Sequence, residues 1–536
     1  MKNLKIILTL IFILVIGLTA SLPHIFGIFK FRNEYSPFTT NQNLSYMHEE
    51  TYIYAAKVQQ ILKGNIIGDS YIWEYRLSPS LYTGELMAIL PIVFLSLITG
   101  SVSSAFIVSD FIFPFFLALV IYLGLRKNNY DRWFSLLCCV VVTVAPFISS
   151  LLPYLFKEGT QILGAENNPL FISRTPYPQI SSIYLFAMVF VTTLFIRSKK
   201  ENIPYLWSFL SGLSFYLMPY VGSTVLLASA LYIKGIFKKH NVGVFIKSLL
   251  IITIVSLPWI LNTLQVSNTF SREDIFQRLT FPVFFLFPVQ IRYALIALVL
   301  WFFKGKSELF KVLAIFIFSA AILVDGHQII LGRNLEADHF ISRTLAPLST
   351  LAILLLLQKW LKHINFKHSN ILWIVTAVSI LGVGLFKQID WIREYGQQLK
   401  VDKDIYELTN NIKSNTPKNA VIGSIDPQIS RYITGLTGRW VYLAPGNKTN
   451  VQTDEQLKRI CDLVSIDGSS ITDNSVNPLV TYGLGFQAWQ KDNSLFTEGV
   501  KSCVESENNK ILKFKLDYLV KKDYDGNFYL ERVSLD

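Results

Sequence analysis

Charged residues are scarce in this sequence. Asp, Glu, Lys and Arg make up 16% of its 536 residues, against roughly a quarter in an ordinary soluble domain. Hydrophobic residues make up 51%, and many apolar runs of 16 to 23 residues follow one another. Because runs of this length span a bilayer as helices, the composition excludes an ordinary soluble enzyme. It predicts a mainly α polytopic membrane protein.

Cysteine is also scarce, with four residues in the chain, and no CxxC or His-rich spacing indicates a structural metal. Cys138 and Cys139 lie in an apolar run and are interpreted as small core residues. Cys461 and Cys503 lie in the polar C-terminal part. They form a disulfide if that part faces an oxidising compartment, and otherwise they are two unrelated thiols.

The sequence has no zinc-finger, RNP or P-loop pattern, so we expect no nucleic-acid partner. Its net charge of +12 is unevenly distributed. Residues 1–389 carry 31 basic and 17 acidic residues, whereas residues 390–536 carry 18 basic and 20 acidic ones. The positive excess therefore lies in the apolar part, where short Lys- and Arg-rich loops are typical of the cytoplasmic side.

These patterns divide the chain into a transmembrane domain, 1–389, and a soluble α/β domain, 390–536. The apolar stretch that follows Met1 is either a cleaved signal peptide or, as we favour, a first membrane helix. Residues 28–83 are too hydrophilic for lipid and form a first outside loop with amphipathic helices. Further apolar runs lie at about 84–99, 103–125, 133–152, 179–196, 204–219, 221–236, 244–262, 281–303, 309–324, 343–357 and 370–388. We expect about 11 to 13 crossings of the membrane.

Basic residues recur in five loops, which the positive-inside rule places in the cytoplasm. These loops lie at 126–132, 197–200, 234–239, 304–311 and 359–367. The segments that then lie outside are 28–83, 153–178, 263–280, 325–342 and everything after 388. Residues 84–125 must accordingly cross an odd number of times, although they look like two helices. Either one of the two is juxtamembrane or re-entrant, or the 126–132 loop lies outside.

The C-terminal domain has a different pattern. Its segments combine an amphipathic helix, a turn marked by proline and short β-rich runs, as in IYELTNNIKSNTPKNAVIGSI, RWVYLAP and FKLDYLVKKD. This combination is typical of a small α/β unit. We therefore expect a folded, extracytoplasmic appendage of a multi-pass protein of the cell membrane, with a bacterial plasma membrane as the suggested location.

The first candidate site lies in the outside loop, where His48, Glu49, Glu50 and Tyr52 open a helix whose apolar face is Ile53, Ala56 or Val58, and Ile61. We expect this helix to lie on the membrane surface. The acidic pair has two readings. Carboxylates stabilise the positive end of a helix dipole, and a carboxylate at the lipid boundary can act as a general base. A divalent metal is a further possibility, because His48 and Glu49 could ligate one.

The second candidate site is a charged segment at the mouth of a late helix. It contains Asp325, His327, Arg333, Glu336, Asp338, His339 and Arg343. Interleaved arginines and histidines can bind phosphate through charge-assisted hydrogen bonds. The loop 153–178 adds Arg174, and the loop 263–280 is charged as well. Charges on one face suggest a common cavity, although separately solvated loops would give the same pattern.

This layout resembles the GT-C superfamily of membrane glycosyltransferases, most closely its protein mannosyltransferase and aminoarabinose transferase branches. The resemblance rests on HEETYIYAAKVQQILKGN after the first helix, on SRTPYPQ and ADHFISRTLAP, and on NIKSNTPKNAVIGSI at the start of the C-terminal domain. It covers the whole chain in architecture and only these four short segments in motif. The family motif commonly contains Asp where this chain has His-Glu-Glu, so which Glu matches the family's acidic residue stays open.

The resemblance implies transfer of a sugar from a polyprenyl-phosphate carrier to a lipid, polysaccharide or protein acceptor at the outer face. Glu49 or Glu50 would take the acceptor proton, and Arg174, Arg333 or Arg343 would stabilise the departing phosphate. The substrate-binding residues would be His48, Tyr52, Arg174, Arg333, Asp338, His339 and Arg343. A guanidinium fork could replace a metal in this chemistry, so no cofactor is firmly expected.

Two other readings remain open. One is a non-catalytic scaffold of GT-C-like architecture in cell-envelope glycan assembly. The other is a transporter of a lipid-linked solute, for which ionisable residues near mid-membrane and repeat symmetry would be expected. The predicted membrane interior offers little beyond Asp110 and Arg292, which weighs against transport.

Overall fold

The fold was analysed in a computed structural model of the chain. The residues that the structure describes are 2–37, 49–80, 85–145, 170, 172–198, 200, 202–238, 240–269, 277, 280, 289–303, 305, 307–366, 368–400, 403–468, 473–485, 493–506, 512–523 and 527–533. They comprise a helical region up to residue 400 and a C-terminal region from residue 403.

Within the described residues, seven helices are long and apolar enough to cross a membrane. Their apolar parts are Ile6–Phe31, Val102–Lys127, Gln179–Arg197, Val242–Ser267, Glu308–Leu331, Ile341–His363 and Ser369–Tyr395. Four shorter apolar helices accompany them: Leu86–Thr99, Arg132–Val144, Pro219–Leu231 and Gln290–Phe302. Long apolar runs form helices because lipid offers no partner for the backbone N–H and C=O groups. These helices confirm a mainly α, multi-pass membrane protein.

The helices of the helical region are numbered in chain order. They are α1 (Lys2–Phe31), α2 (Glu49–Leu62), α3 (Leu86–Thr99), α4 (Val102–Lys127), α5 (Arg132–Val144), α6 (Gln179–Arg197), α7 (Asn202–Leu213), α8 (Pro219–Leu231), α9 (Ile233–Phe237), α10 (Val242–Thr269), α11 (Val289–Phe302), α12 (Glu308–Leu331), α13 (Ala337–Phe340), α14 (Ala346–His363) and α15 (Ser369–Tyr395). A π-helical turn, Ile341–Leu345, joins α13 to α14.

The five predicted basic loops lie together at one end of the helices, which we call the basic end. Side-chain contacts connect Asn128 to Arg197, Asp131 to Gln358, Phe303 to Lys359 and Phe195 to His240. A common end is what the positive-inside pattern predicts, because loops on one side of a membrane must share one end of the bundle.

The helix α3 does not run from one end of the bundle to the other. The helix α4 lies beside α6 in the same direction, because Asp110 contacts the start of α6 and Asn128 contacts its end. A turn at Gly100 joins the C-terminal end of α3 to the start of α4, and Glu85, directly before α3, acts on Tyr54 and on Tyr177 before α6. Both ends of α3 therefore lie away from the basic end. This geometry favours the juxtamembrane alternative for one of the two segments within 84–125.

The helix α2 is more deeply buried than a surface helix. The predicted apolar residues Ala56, Val58 and Ile61 are buried, but Lys57 and Gln60 on its polar side are buried too. Protein therefore packs against both sides of α2, and its location at the membrane surface stays a prediction. Lys57 donates to the carbonyl of Gly68 at 3.0 Å, and Gln60 Oε1 accepts from Asn65 Nδ2 at 3.2 Å, so residues of the same outside loop are partners of these buried groups.

The C-terminal region is attached to the first outside loop by many specific contacts. The backbone N–H of Val441 donates to the carbonyl of Tyr71 at 3.0 Å. Side-chain hydrogen bonds connect Gln59 to Gly435, Lys63 to Lys418, Tyr75 to Glu455 and Glu74 to Arg459. These contacts fix the region against α2 and the residues that follow it.

Helices and a small sheet make up the described part of the C-terminal region. The helices are α16 (Lys403–Asn415), α17 (Pro427–Tyr432), α18 (Thr453–Asp467), α19 (Asp473–Leu484) and α20 (Asn493–Ser506). The strands β1 (Val421–Ser424), β2 (Trp440–Val441), β3 (Tyr518–Lys522) and β4 (Phe528–Arg532) form one sheet in the order β2-β1-β3-β4. The strand β1 pairs in parallel with β2 and β3, and β3 pairs antiparallel with β4.

The four cysteines divide as the sequence suggests. Cys461 of α18 and Cys503 of α20 form a disulfide with a Cα–Cα distance of 6.2 Å. Cys138 and Cys139 are free and buried in α5. The disulfide reading for the C-terminal pair is therefore the one that the structure adopts.

Candidate functional site

A group of charged and aromatic side chains gathers at the end of the bundle opposite the basic end. We call it the Arg343 cluster. It comprises Tyr54 of α2, Glu85 before α3, Arg174 and Tyr177 before α6, Tyr220 of α8, and Glu336, His339 and Arg343 around α13. Three predicted outside segments thus converge on one place.

Arg343 lies at the centre of this cluster and is 2% exposed. Its guanidinium donates to the sulfur of Met218 and to His339 Nε2, the latter at 3.2 Å. It also lies 5.4 Å and 5.6 Å from the ring centroids of Tyr177 and Tyr220. In the described part of the chain, no carboxylate lies within ion-pair distance of it. A buried charge normally requires a charged partner, so this guanidinium is suited to bind an anion.

His339 connects Arg343 to a carboxylate. Because a guanidinium can only donate, His339 Nε2 accepts from it, and Nδ1 therefore carries the proton. Nδ1 lies 2.7 Å from Glu336 Oε2, and the Tyr220 hydroxyl donates to the same oxygen at 2.7 Å. Burial opposes ionisation of Glu336, but the hydrogen bond from His339, the hydroxyl of Tyr220 and the charge of Arg343 outweigh it and lower its pKa. Glu336 is therefore ionised at neutral pH and orients His339.

Arg174 places a second guanidinium beside the first. Burial, followed by the like charge of Arg343, lowers the pKa of Arg174 to about 9, while Glu336 partly offsets this. Two like charges held together repel each other unless an anion lies between or beside them. The pair therefore strengthens the case for an anion site at Arg343.

The tyrosine side chains form the wall of the cluster next to the C-terminal region. The rings of Tyr54 and Tyr177 meet edge to face with centroids 5.6 Å apart. Tyr54 is 2% exposed, and its hydroxyl has no hydrogen-bond partner within the residues described. Burial and then the charge of Glu85 raise the pKa of both hydroxyls well above the ordinary value. Both remain neutral donors at physiological pH.

Glu85 is a carboxylate of this cluster that the sequence analysis missed. It is half-buried directly before α3, and its charge acts on Tyr54, Tyr177 and the buried Lys57. In the sequence it stands alone at the border of an apolar run, without neighbouring charges. Only the packing of α2 and the 172–178 segment against it shows its relation to the site.

Buried polar groups of the helical region hold the segment that carries Arg174 and Tyr177. Asp110 Oδ1 accepts hydrogen bonds from Thr175 Oγ1 and Gln179 Nε2, each at 2.5 Å. Its other oxygen accepts from His24 Nε2 at 2.5 Å, and the hydroxyl of Tyr35 donates to His24 Nδ1. Asp110 is therefore a positioning group for the segment 172–178 rather than an isolated charge in the membrane interior.

A glutamine completes this support. Gln388 of α15 donates to Ser173 Oγ at 2.7 Å and accepts from the backbone N–H of Leu170 at 3.3 Å. It is fully buried. Because fully bonded buried polar networks are rigid, the segment next to Arg174 is held from both sides.

The other predicted site residues have mixed outcomes. Glu49 and Glu50 begin α2 as expected, but their side chains lie outside the described residues, as do those of Tyr52 and Asp338 and the whole of His48. Most of the charged loop 263–280 lies outside them too. The reading of the acidic pair as a cap or a base thus stays a prediction.

Three residues of the second candidate site lie apart from the cluster. Asp325 accepts from Gln290. His327 Nε2 accepts from the backbone N–H of Leu335 at 2.9 Å, which ties the loop after α12 in place. Arg333 is half-buried in that loop, and no contact in the described part of the chain joins it to Arg343. The structure therefore brings together only Glu336, His339 and Arg343 from this segment.

The metal reading rested on His48 and Glu49, whose side chains are not among those described. Elsewhere in the described residues, no three His, Cys, Asp or Glu side chains lie close enough together to hold a metal ion. The functional groups of the Arg343 cluster are guanidinium, imidazole, phenol and carboxylate groups.

Comparison with known proteins gives no family for this chain. No family model matches it, and no curated protein matches its sequence.

Proposed function

We propose that the chain is a membrane glycosyltransferase of the GT-C kind, which moves a sugar from a polyprenyl-phosphate carrier to an acceptor at the outer face of the membrane. The observation that carries this proposal is the buried guanidinium of Arg343. It has no carboxylate partner in the described part of the chain and lies beside a second cation, Arg174. A phosphate is the anion for which such a pair is best suited.

The position of the cluster suits a donor with a lipid chain. Ile329 and Ile330, in the last turn of α12, are 75% and 79% exposed, and Glu336 follows a few residues later. Exposed apolar side chains at the end of a membrane helix face lipid. A polyprenyl chain could therefore lie along this surface while its phosphate reaches Arg343.

The proposed topology has 11 crossings. The crossing helices are α1, α4, α5, α6, α7, α8, α10, α11, α12, α14 and α15. A helix needs roughly 20 residues to span a bilayer, so the shorter ones cross only if they are extended or the bilayer is locally thin. With the basic end in the cytoplasm, the Arg343 cluster and the C-terminal region lie outside. The helix α3 would remain at the outer interface.

The proposed reaction forms a bond between an acceptor oxygen and the anomeric carbon of the sugar and breaks the bond from that carbon to the phosphate oxygen. The electron pair leaves with the phosphate, whose charge Arg343 and Arg174 would stabilise. The acceptor proton passes to a carboxylate. Glu336 is unsuited to this step, because its lowered pKa makes it a weak base. Glu49, Glu50 and Glu85 are the candidates.

The transporter and scaffold alternatives are less well supported. A transporter would use the buried Asp110 and His24 to carry charge, but both oxygens of Asp110 are engaged in holding the segment before α6. A scaffold would have no need of a buried arginine that lacks a carboxylate partner among the described residues, since burying a charge without a partner costs stability.

The proposal is tested by comparing lipid-linked sugars and surface glycans by mass spectrometry in cells that lack the protein and in complemented cells. At matched protein level, Arg343→Gln and Arg174→Gln should leave the carrier-linked sugar accumulated and the glycan one residue short. Removing one preorganised donor to a developing charge lowers transfer by about 100- to 1,000-fold. Glu49→Gln, Glu50→Gln and Glu85→Gln, made singly, should identify the base as the one variant that also fails.

A matched control is Arg292→Gln, which removes a half-buried guanidinium of the helical region, on α11. It should restore the normal glycan profile. A normal profile with Arg343→Gln as well would overturn the proposal and favour the scaffold.

A further inference from the structure

Lys448 brings a positive charge from the C-terminal region to the Arg343 cluster. It ends the 3-10 turn Gly446–Lys448, and its ammonium lies 5.9 Å from the ring centroid of Tyr54, within the range of a cation–π contact. The C-terminal region therefore contributes a side chain to a site that otherwise consists of the helical region and its outer loops.

The backbone around Lys448 is fixed on both sides. Thr449 Oγ1 donates to Asp69 Oδ2 at 2.6 Å, and Asn450 Nδ2 donates to the carbonyl of Pro79 at 3.1 Å. Gly446 packs so closely that an added Cβ would lie 2.3 Å from the carbonyl oxygen of Gly483. The position of Lys448 beside Tyr54 thus follows from the attachment of the whole region.

The hydroxyl of Tyr54 is an independent sign of a ligand. Leaving a buried hydroxyl without a hydrogen bond is unfavourable, and no partner for it exists among the described residues. Its ring contacts both the ammonium of Lys448 and the ring of Tyr177, and the guanidinium of Arg343 contacts the ring of Tyr177. Contacts through two tyrosine rings therefore connect the two cations.

We propose that Lys448 and Tyr54 form an anion subsite for the acceptor, so that the acceptor carries a phosphate or carboxylate group. This inference rests on the proposed function. Arg343 belongs to the helical region, where the lipid phosphate of the donor arrives. Lys448 belongs to the region that lies outside the bilayer in the proposed topology, on the side from which an acceptor approaches. An ammonium is a compact charge that accepts either kind of anion without fixed geometry.

The test measures binding to the full-length protein in phosphatidylcholine nanodiscs. Farnesyl phosphate serves as the probe for the donor lipid, glycerol phosphate as the anionic acceptor probe and glycerol as its neutral control. Lys448→Gln should weaken binding of glycerol phosphate about tenfold, the loss of one charge-assisted hydrogen bond, and change farnesyl phosphate by less than twofold. Tyr54→Phe should act in the same direction but less strongly, and Lys448→Arg should retain binding.

A lipid-borne acceptor is distinguished by placing phosphatidylglycerol in the nanodisc and measuring its competition with glycerol phosphate. If phosphatidylglycerol competes with glycerol phosphate, and Lys448→Gln abolishes this competition, the subsite binds a lipid headgroup. If phosphatidylglycerol does not compete, the subsite binds a soluble acceptor. Lys403→Gln is the matched control, since that lysine is 77% exposed on α16. It should leave every affinity unchanged.

The acceptor subsite is refuted if Lys448→Gln and Tyr54→Phe leave glycerol phosphate binding intact, or if they weaken farnesyl phosphate equally. A separate arm tests the donor site, because Arg343→Gln should weaken farnesyl phosphate alone. Failure of that arm together with success at Lys448 would overturn the proposed function but leave an anion subsite. Thermal unfolding of each variant, followed by tryptophan fluorescence, excludes a folding defect as the cause.

Discussion

The helical region and the C-terminal region each bury an arginine, but they treat it differently. Arg459 of α18 is fully buried, and its guanidinium donates to Glu455 at 2.8 Å, to Glu74 at 3.2 Å and to the carbonyl of Tyr442 at 3.0 Å. Arg343 is almost as deeply buried, but in the described part of the chain it has a sulfur, an imidazole and two tyrosine rings as neighbours.

This difference separates a structural charge from a charge available to a ligand. The desolvation of Arg459 is offset within the protein by two carboxylates and a carbonyl, so nothing further is needed to explain its burial. The desolvation of Arg343 is not offset in this way by the residues described. Burial of an arginine alone therefore does not identify a site, and neither does the lack of a carboxylate partner, since Arg439 is buried with only hydroxyl and carbonyl acceptors among the residues described. What sets Arg343 apart is that the described residues offer its guanidinium neither a carboxylate nor a carbonyl.

The most direct test of this comparison is a substitution of Arg459. Arg459→Met should destabilise the C-terminal region by about 3 to 5 kcal/mol, because it leaves Glu455 and Glu74 without their buried partner. It should also loosen the attachment to the first outside loop, since Glu74 belongs to that loop. Limited proteolysis and thermal unfolding of the purified protein measure both effects.

The counterpart is Arg343→Gln, which should leave the unfolding temperature of the protein nearly unchanged while abolishing transfer. Equal losses of stability in the two variants would contradict the distinction between the two arginines. A stable protein with Arg459→Met would show instead that the contact with Glu74 contributes little to the attachment.

The cysteines offer a second way to sharpen the comparison. Cys461 and Cys503 close a loop of 42 residues, for which the chain-entropy model gives about 4 kcal/mol of stabilisation. Reduction with dithiothreitol, or Cys461→Ser with Cys503→Ser, should therefore destabilise the C-terminal region by up to that amount. The helical region should be unaffected, because Cys138 and Cys139 are unpaired.

Hydrogen exchange measured region by region by mass spectrometry checks this expectation. Peptides of α18 and α20 should exchange faster after reduction, whereas peptides of α4 and α5 should not. Faster exchange in both regions would mean that the helical region depends on the C-terminal region for its own stability.

The sequence predicted the helical region far better than the site. The run 103–125 corresponds to α4 at Val102–Lys127, and the run 370–388 to α15 at Ser369–Tyr395, because a stretch of lipid-compatible residues is a local signal. The sharing of one end by the basic loops was predicted on similar grounds.

The composition of the site could be predicted only in part. His339 and Arg343 were found because they are four residues apart in one charged segment, and Arg174 because its loop is charged. Glu85 and Lys448 were missed, since each reaches the cluster through contacts between segments far apart in the chain. No local pattern records the attachment of the C-terminal region that brings Lys448 to Tyr54.

The smallest expected effect is that of a substitution at Asp110, which holds the segment 172–178 in position. Asp110→Asn removes the charge that accepts from His24, Thr175 and Gln179, while keeping the size of the side chain. Because a hydrogen bond to a charged group contributes about 1.5 to 3 kcal/mol, and the asparagine oxygen can still accept from one donor, we expect transfer to fall by about tenfold. The cause would be displacement of Arg174, so the KM for the lipid donor should rise more than kcat falls.

A matched control for Asp110→Asn is Thr193→Val, which removes a buried hydroxyl from α6 whose bond goes to the backbone carbonyl of Val189 in the same helix. That variant should have the KM of the wild type even if it is slightly less stable. A fall in kcat with unchanged KM after Asp110→Asn would mean that Asp110 takes part in the reaction and does not merely hold Arg174. Loss of uptake of a labelled solute, with normal glycan transfer, would instead assign the His24–Asp110 pair to transport.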